Sequence, residues 1–414
     1  VELFGRGIEN ELRDILSVSR AAAITGPRQA GKSTLARQLQ RAGVVPNYFS
    51  LDDEATRTAA LADPDGFALS LPRPAVIDEV QRAPDLMLAV KQILDQDQTP
   101  GQFLLTGSAD LVTARVVADA LPGRVEYVNL WPLSQAEVSG NLASVIDALL
   151  AGSPPQVTGA PKGRAASAEL VVTGGFPDAL RRTARQRARY FRSYVQTVLG
   201  RDLPEVGQVR VDPSKLEQLL RLLAARTSGL ANHSALGREL ALDDKTVKAH
   251  VELLRQLFLL YRLPPWSGNL GARQVKTPKL LLGDSGMAAA LVGADAVRYA
   301  APDQGLLAGM LLETFVVMEL VKQATWSATA VELFFYRDTE KREVDVVIES
   351  SAGDVVAIET KAAASVTHSD IRGLDLLRAR LGARFKAGVV VYSGQHTLQM
   401  ADRIWALPLS GLWR

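Results

Sequence analysis

Residues 26–33 read Gly26-Pro27-Arg28-Gln29-Ala30-Gly31-Lys32-Ser33, a G-x-x-x-x-G-K-S run between an apolar stretch, 21–25, and an amphipathic one, 32–41. Glycines let consecutive backbone N–H groups turn inward around an anion, and a following helix presents its positive N-terminal end to the same point. Such a loop cradles phosphates. The ammonium of Lys32 reaches the β- and γ-phosphates of a nucleoside triphosphate, and the Ser33 hydroxyl ligates Mg2+. Pro27, Arg28, Gln29, Ala30 and Thr34 complete the cradle.

A second element carries matching chemistry. Pro74-Ala75-Val76-Ile77-Asp78-Glu79 is an apolar strand ending in two carboxylates. Downstream of a phosphate loop, Asp78 holds Mg2+ through water and Glu79 polarises the attacking water. Phe103-Leu104-Leu105-Thr106-Gly107-Ser108 is a strand tipped with hydroxyls, where Thr106 and Ser108 would sense a γ-phosphate or a water. Thr-Gly-Ser is also ordinary loop chemistry. Arg124, in Leu121-Pro122-Gly123-Arg124, is a candidate arginine finger acting in its own or a neighbouring subunit; the alternative is a surface arginine before a strand.

Near the C-terminus, residues 343–349 and 355–361 form two apolar strands interrupted by charge. Alternation puts Glu359 and Lys361 on one face. With Asp345 opposite, two carboxylates and an ammonium converge, and Glu313 on the preceding helix adds a third carboxylate. Carboxylates inside apolar strands need a partner or a metal. Exposed salt-bridged pairs are the competing reading.

Residues 234–241 and 245–254 read as two short helices tightly joined, the pattern of a helix-turn-helix. Lys245, Lys248 and His250 fall on the outer positions of the second helix, with Val247, Val251 and Leu254 inward. A recognition helix wants basic side chains at its N-terminal end, yet Asp243 and Asp244 there repel phosphates. A packing module or lid is the alternative, and His250 reads as a surface or packing residue. Residues 257–263 and 279–282 are expected to pair as a wing.

The elements that position these groups follow from periodicity. Strand-like runs at 21–25, 47–51, 75–77, 103–106 and 125–130 alternate with helical stretches such as 32–41 and 86–94, which implies a mainly parallel sheet with helices on both faces. Residues 151–168, rich in Ala, Gly, Ser and Pro, read as an exposed connection. Helical periodicity resumes at 185–203 and 213–226. A long helix, 306–322, then precedes strands at 331–336, 343–349 and 355–361, a helix at 371–380 and a strand at 387–392. The expected organisation is α/β throughout: a nucleotide-binding core at 1–150, a linker at 151–168, a helical and winged unit at 169–284, and a second α/β unit at 285–414.

Composition bounds the function. The 414 residues, 47% hydrophobic and 22% charged, fit two or three domains. A net charge of +2 is too small to indicate a nucleic-acid partner by itself. The absence of cysteine excludes disulfides, thiolate zinc sites and cysteine nucleophiles. The most apolar run, 306–321, is interrupted by Glu313 and Glu319, so no membrane crossing is expected. The N-terminus lacks a signal-peptide layout, and the expected location is the cytoplasm.

Taken in order, 26–33, Leu51-Asp52-Asp53, Asp78-Glu79-Val80-Gln81, 105–108, 121–124, Leu130-Trp131-Pro132-Leu133-Ser134, Glu137, Gly174-Gly175-Phe176-Pro177, Arg201-Asp202-Leu203 and Pro278-Lys279 resemble the AAA-type ATPase family of bacteria and archaea that carries a C-terminal domain of unknown function. That resemblance covers essentially the whole chain. It implies ATP and Mg2+ as cofactors, ATP hydrolysis, and a Gly-x-Pro turn that brings Gly175 and Pro177 toward the nucleotide. The set Asp345, Glu359-x-Lys361 resembles the PD-(D/E)XK nuclease superfamily. By that resemblance Asp345 and Glu359 are metal ligands, Lys361 positions water and Glu313 is auxiliary. Three readings follow: an ATP-controlled enzyme acting on DNA or RNA, a nucleotide-dependent binding switch without cleavage, and a structural ATP binder with little turnover. A homo-oligomer is implied if Arg124 acts in trans.

Overall fold

Five short strands form the first sheet: β1 (Ala21–Thr25), β2 (Asn47–Ser50), β3 (Ala75–Asp78), β4 (Phe103–Gly107) and β5 (Val125–Asn129). In this computed structural model, which describes residues 3–107, 123–203, 211–268 and 277–414, all five run parallel in the order β2-β3-β4-β1-β5. Ser108 lies outside the described residues. Period-two alternation gives the sheet two buried faces. Ala22, Ile24 and Leu104 pack with Leu12 and Leu16 of helix Glu9–Val18 and Leu35 and Leu39 of helix Lys32–Arg41. Ala21, Ala23, Phe103 and Leu105 pack with Leu86, Val90 and Leu94 of helix Leu86–Gln96. The register sets Ala21 level with Phe103 and Val125, so Thr25, Asp78 and Gly107 reach the same carboxyl edge. Ligands of such sheets bind outside that edge.

The rest of the chain builds a second, larger body. Helices His233–Leu240 and Asp244–Gln256 are capped by Asn232 and Asp243, whose side chains accept from Ala235 N and Thr246 N. Beside them lies a three-stranded antiparallel sheet, β6 (Gly229–Leu230), β7 (Leu260–Leu263) and β8 (Lys279–Leu282), in the order β6-β8-β7. The last sheet holds β9 (Val331–Arg337), β10 (Glu343–Ser350), β11 (Val355–Lys361), β12 (Phe385–Tyr392), β13 (Leu398–Ala401) and β14 (Ile404–Pro408), ordered β13-β14-β12-β11-β10-β9. Helix Gly305–Ala324 covers one of its faces and helix Arg372–Leu381 the other.

Two expectations need correction. Residues 151–168 are not an exposed connection: Val157 and Ala160 are buried, and the segment is tied to the last sheet by Thr397 N to Val157 O (2.9 Å) and Ala160 N to Gln395 O (3.0 Å). From 164 the chain is already helix Arg164–Thr173. Small residues let the backbone lie flat on its neighbour, which the compositional reading mistook for exposure. Nor do 169–284 and 285–414 have separate cores, because one apolar cluster runs from Trp131 through Leu254 and Phe315 to Leu412.

The segment Pro302–Ala324 is, by length and a mean hydropathy of 1.6, apolar enough to cross a bilayer, so the charges inside it do not disqualify it as expected. In this fold it is a core helix. Even its polar residues Glu319, Lys322 and Gln323 are buried and bonded. Helix Ser285–Leu291 approaches helix Arg164–Thr173 so closely that a Cβ at Gly286 would sit 2.2 Å from Thr173 O. Backbone cannot yield there, so Gly286→Ala is expected to destabilise the chain by about 1–3 kcal/mol, read as a lower urea midpoint at unchanged slope.

Candidate nucleotide site and a second acidic cluster

The loop after β1 takes conformations that only its glycines allow cheaply. Gly26 has φ +148°, and a Cβ there would lie 2.2 Å from Leu130 O. Gly31 (φ +103°) is the N-cap of helix Lys32–Arg41, which has no side-chain cap and no acidic residue in its first turn. Its first N–H groups are thus free of side-chain caps and suited to an anion. Lys32 is buried, and its Nζ donates to Gly26 O (3.0 Å) and Pro27 O (2.9 Å), which holds the ammonium against the loop.

Asp78, at the end of β3, is the hub beneath this loop. Its Oδ1 accepts from Ser33 Oγ (2.9 Å) and from the Thr106 hydroxyl, and its Oδ2 from Tyr48 OH (2.6 Å). Thus β2, β3, β4 and the loop helix each contribute one group. Burial, then the Asp78 carboxylate, push the Tyr48 phenol far above its ordinary pKa, so it stays a donor. The Ser33 hydroxyl and the Asp78 carboxylate are hard oxygen donors meeting from two elements, a pair that suits Mg2+. Glu79 turns into the left-handed region (φ 64°), its N–H donates to Thr106 Oγ1 (3.1 Å), and its carboxylate accepts from Gln81. Tyr48 was missed by sequence reasoning, since a tyrosine in a short strand carries no motif.

Arg6 was missed for the same reason. Its guanidinium is buried and donates to Glu137 Oε1 (2.8 Å), Ala30 O (2.8 Å) and Trp131 O (2.7 Å). Beside it, Phe4, Gly31, Thr34, Gln38, Leu133 and Pro177 line a pocket of about 170 Å³ adjoining the loop helix. Pro177 therefore lies near the loop. Gly175 is occupied with structure: its O accepts from Leu133 N (2.8 Å) and its N donates to Asp284 Oδ2 (2.8 Å). Helix Ala184–Thr197 leans over the loop, with Tyr190 OH donating to Gln29 Oε1 (2.8 Å) and Tyr194 OH to Arg28 O (3.2 Å).

Arg124 stands elsewhere. It precedes Val125, which pairs with the first residue of β1, whereas the phosphate loop follows the last. Its guanidinium pairs with Asp95. It therefore does not reach the loop of its own chain. His250 does not take the expected outer position: it packs with Val247, Val251 and Leu254 on the buried stripe, the packing alternative, while Lys245 and Lys248 remain exposed.

At the C-terminal cluster the expected carboxylates do converge, but around an unexpected cation. Lys279 of β8, buried, places its Nζ 2.6 Å from Glu313 Oε1, 2.5 Å from Glu343 Oε1 and 3.5 Å from Asp345 Oδ1. A β-bulge between Val344 and Val347 re-aims Asp345, whose Oδ2 accepts from Thr360 N (2.9 Å) and Oγ1 (2.8 Å). Burial, then the neighbouring Asp345 charge, raise the pKa of Glu359 well above the usual range. Burial likewise pushes Glu313 up to about 8. Lys361 pairs instead with Asp370, next to Glu359 in an open pocket of about 410 Å³ that also holds Arg342 and Arg372. Among the described residues, no group of three or more His, Asp or Glu is arranged to hold a metal ion.

Residues 18–139 match the model of an AAA domain family. The phosphate loop, Asp78 and Thr106 all lie inside that match. Residues 308–412 match a domain of unknown function (DUF4143), which with the AAA domain supports an AAA-type P-loop ATPase family, and residues 164–298 match another domain of unknown function (DUF8612). Two uncharacterized proteins, from Mycobacterium bovis and Mycobacterium tuberculosis, are each 28% identical over 402 residues, 96% of this chain and 82% of their own. Among solved structures, AMPPCP-bound DnaA from Aquifex aeolicus aligns with 61% of this chain and 89% of its own at 14% identity, with a TM-score of 0.29.

Arg6→Ala leaves Glu137 buried without its ion pair and frees Ala30 O. It is expected to cost about 3–5 kcal/mol in denaturant-monitored stability, and to weaken nucleotide binding measured by calorimetry under conditions where the variant stays folded.

Proposed function

We propose that this chain binds ATP with Mg2+ and hydrolyses it, and that the nucleotide's state is passed to the helical and C-terminal elements as a binding switch. The observation that carries this is the meeting of Ser33, Asp78 and Thr106 beneath a loop that holds the Lys32 ammonium against itself and runs into an uncapped helix start. In this reading Gly26 to Thr34 hold the triphosphate, and Ser33 and Asp78 hold Mg2+, which would neutralise phosphate charge when bound. Glu79, at the turn after β3, takes a proton from the attacking water; Thr106 fixes the Glu79 backbone and Asp78 together. The pocket beside Thr34 and Pro177 receives the base. Tyr190 and Tyr194 contact the loop from the overlying helix, so a change in loop shape moves that helix.

Arg124 at the far edge of the sheet serves a neighbouring subunit's nucleotide in this reading, which requires assembly. In this reading the helix carrying the outward Lys245 and Lys248 works with β7 and β8 as a winged helix-turn-helix, and those lysines support a nucleic-acid partner for the switch. The nuclease-like reading of the C-terminal unit is disfavoured by the Lys279 ammonium among its carboxylates and by the pairing of Lys361 with Asp370.

Lys32→Ala is expected to weaken ATP binding at least tenfold, about 1.4 kcal/mol, by calorimetry. Glu79→Gln should bind ATP as the wild type does and turn over about 10²–10⁴-fold more slowly in a phosphate-release assay. Normal hydrolysis by Glu79→Gln would reject Glu79 as the base, and absence of ATP affinity in the wild type would reject the whole reading.

A further inference from the structure

Lys279 is fixed where it stands. It opens β8, the central strand of the three-stranded sheet, and pairs with Leu263 on one side and Leu230 on the other. Just beyond β7 the chain bridges to the last sheet: Trp266 N donates to Phe335 O (2.6 Å) and Phe335 N to Pro264 O (2.9 Å). The β7 side of the lysine is therefore anchored, and its ammonium lies 5.4 Å from the Phe335 ring centroid. Its residue is 2% exposed, so water does not satisfy the ammonium; the carboxylates do.

We propose that Lys279 is the permanent cation of the C-terminal acidic cluster, where it excludes a divalent metal and latches the three-stranded sheet to the last sheet. The ammonium lies against oxygens of Glu313, Glu343 and Asp345, and Asp345 is one of the two carboxylates that the nuclease-like resemblance makes metal ligands, with Glu313 auxiliary. A divalent cation sharing those oxygens would stand within a few ångströms of a like charge in a poorly hydrated site, where repulsion is strong. The lysine is also tethered, so it competes at a high effective concentration that free Mg2+ does not match. The carboxylates come from helix Gly305–Ala324 and β10, while the cation comes from β8, so the charge pairing joins elements that the chain order keeps apart. Lys361, which the nuclease-like resemblance makes the water-positioning group, is held by Asp370 on the short helix His368–Ile371. The inference is independent of the nucleotide reading.

The full chain without nucleotide tests it, with Mn2+ as probe. Wild-type protein is expected to show no Mn2+ bound at this cluster by electron paramagnetic resonance, and no Mn2+-dependent change in its melting temperature. Lys279→Met should melt lower than wild type and bind Mn2+ at least tenfold more tightly. Adding Glu313→Gln and Asp345→Asn to Lys279→Met should recover much of the lost melting temperature and remove the Mn2+ response. Wild-type binding of Mn2+ that Asp345→Asn abolishes would overturn the proposal, as would a Lys279→Met chain as stable as wild type. If Lys279→Met does not fold, that agrees with the latch. The comparison of wild type with Asp345→Asn then decides the metal question alone.

Discussion

The buried guanidinium of Arg6 is the constraint around which the two bodies of this protein are arranged. It ties the phosphate loop at Ala30 to Trp131 and Glu137 in one step. Glu137 is at once the ion partner of Arg6 and the closing residue of a capping box with Ser134, accepting from Ser134 N and, through Oε1, from Gly7 N. Gln135, which follows Ser134, donates its N–H to Glu319 of the core helix, and Lys322 on that helix returns a bond to Leu133 O (3.0 Å). A buried charge network tolerates few alternative arrangements, because every unpaired member is costly. The junction is therefore stiff and directional.

A second polar joint completes it. Asp284 is enclosed, and burial raises its pKa against the N–H groups of Gly175 and Met287 and the nearby Lys322 charge. It caps helix Ser285–Leu291 and simultaneously grips the Gly174-Gly175 turn. A Cβ at Gly174 would lie 2.1 Å from its Oδ1, which explains why glycine stands there. Leu133 and Gly175 are hydrogen-bonded, so the two joints share a backbone contact. The loop, the overlying tyrosine helix and the core helix thus form one connected frame, with the nucleotide site at its edge.

The second body depends on charge in a different way. Its apolar core is continuous, so packing alone would hold the elements together; the Lys279 cluster adds register, fixing where β8 meets β10 and the core helix. Replacing such a cluster by apolar residues need not destabilise a fold, whereas removing one member does. Charge here specifies alignment more than it supplies stability.

The sequence by itself determined the phosphate loop, the acidic strand and the parallel sheet, because those features are written in contiguous residues and in period-two alternation. It also placed Asp345, Glu359 and Glu313 in one neighbourhood, since strand pattern and spacing suffice for that. What only the tertiary structure decided is which distant groups complete each site. Tyr48 and Arg6 are ordinary residues locally and become hubs only when β2 and the N-terminal segment fold beside the loop. His250 was misplaced because a helical face is read from apolar neighbours, and a histidine on the buried stripe breaks that pattern. Lys279 lies 34 positions before Glu313, its partner at 2.6 Å, and no local rule links them. Cations and carboxylates recognise one another through space, and a chain's order carries no record of that distance until the sheets have been brought together.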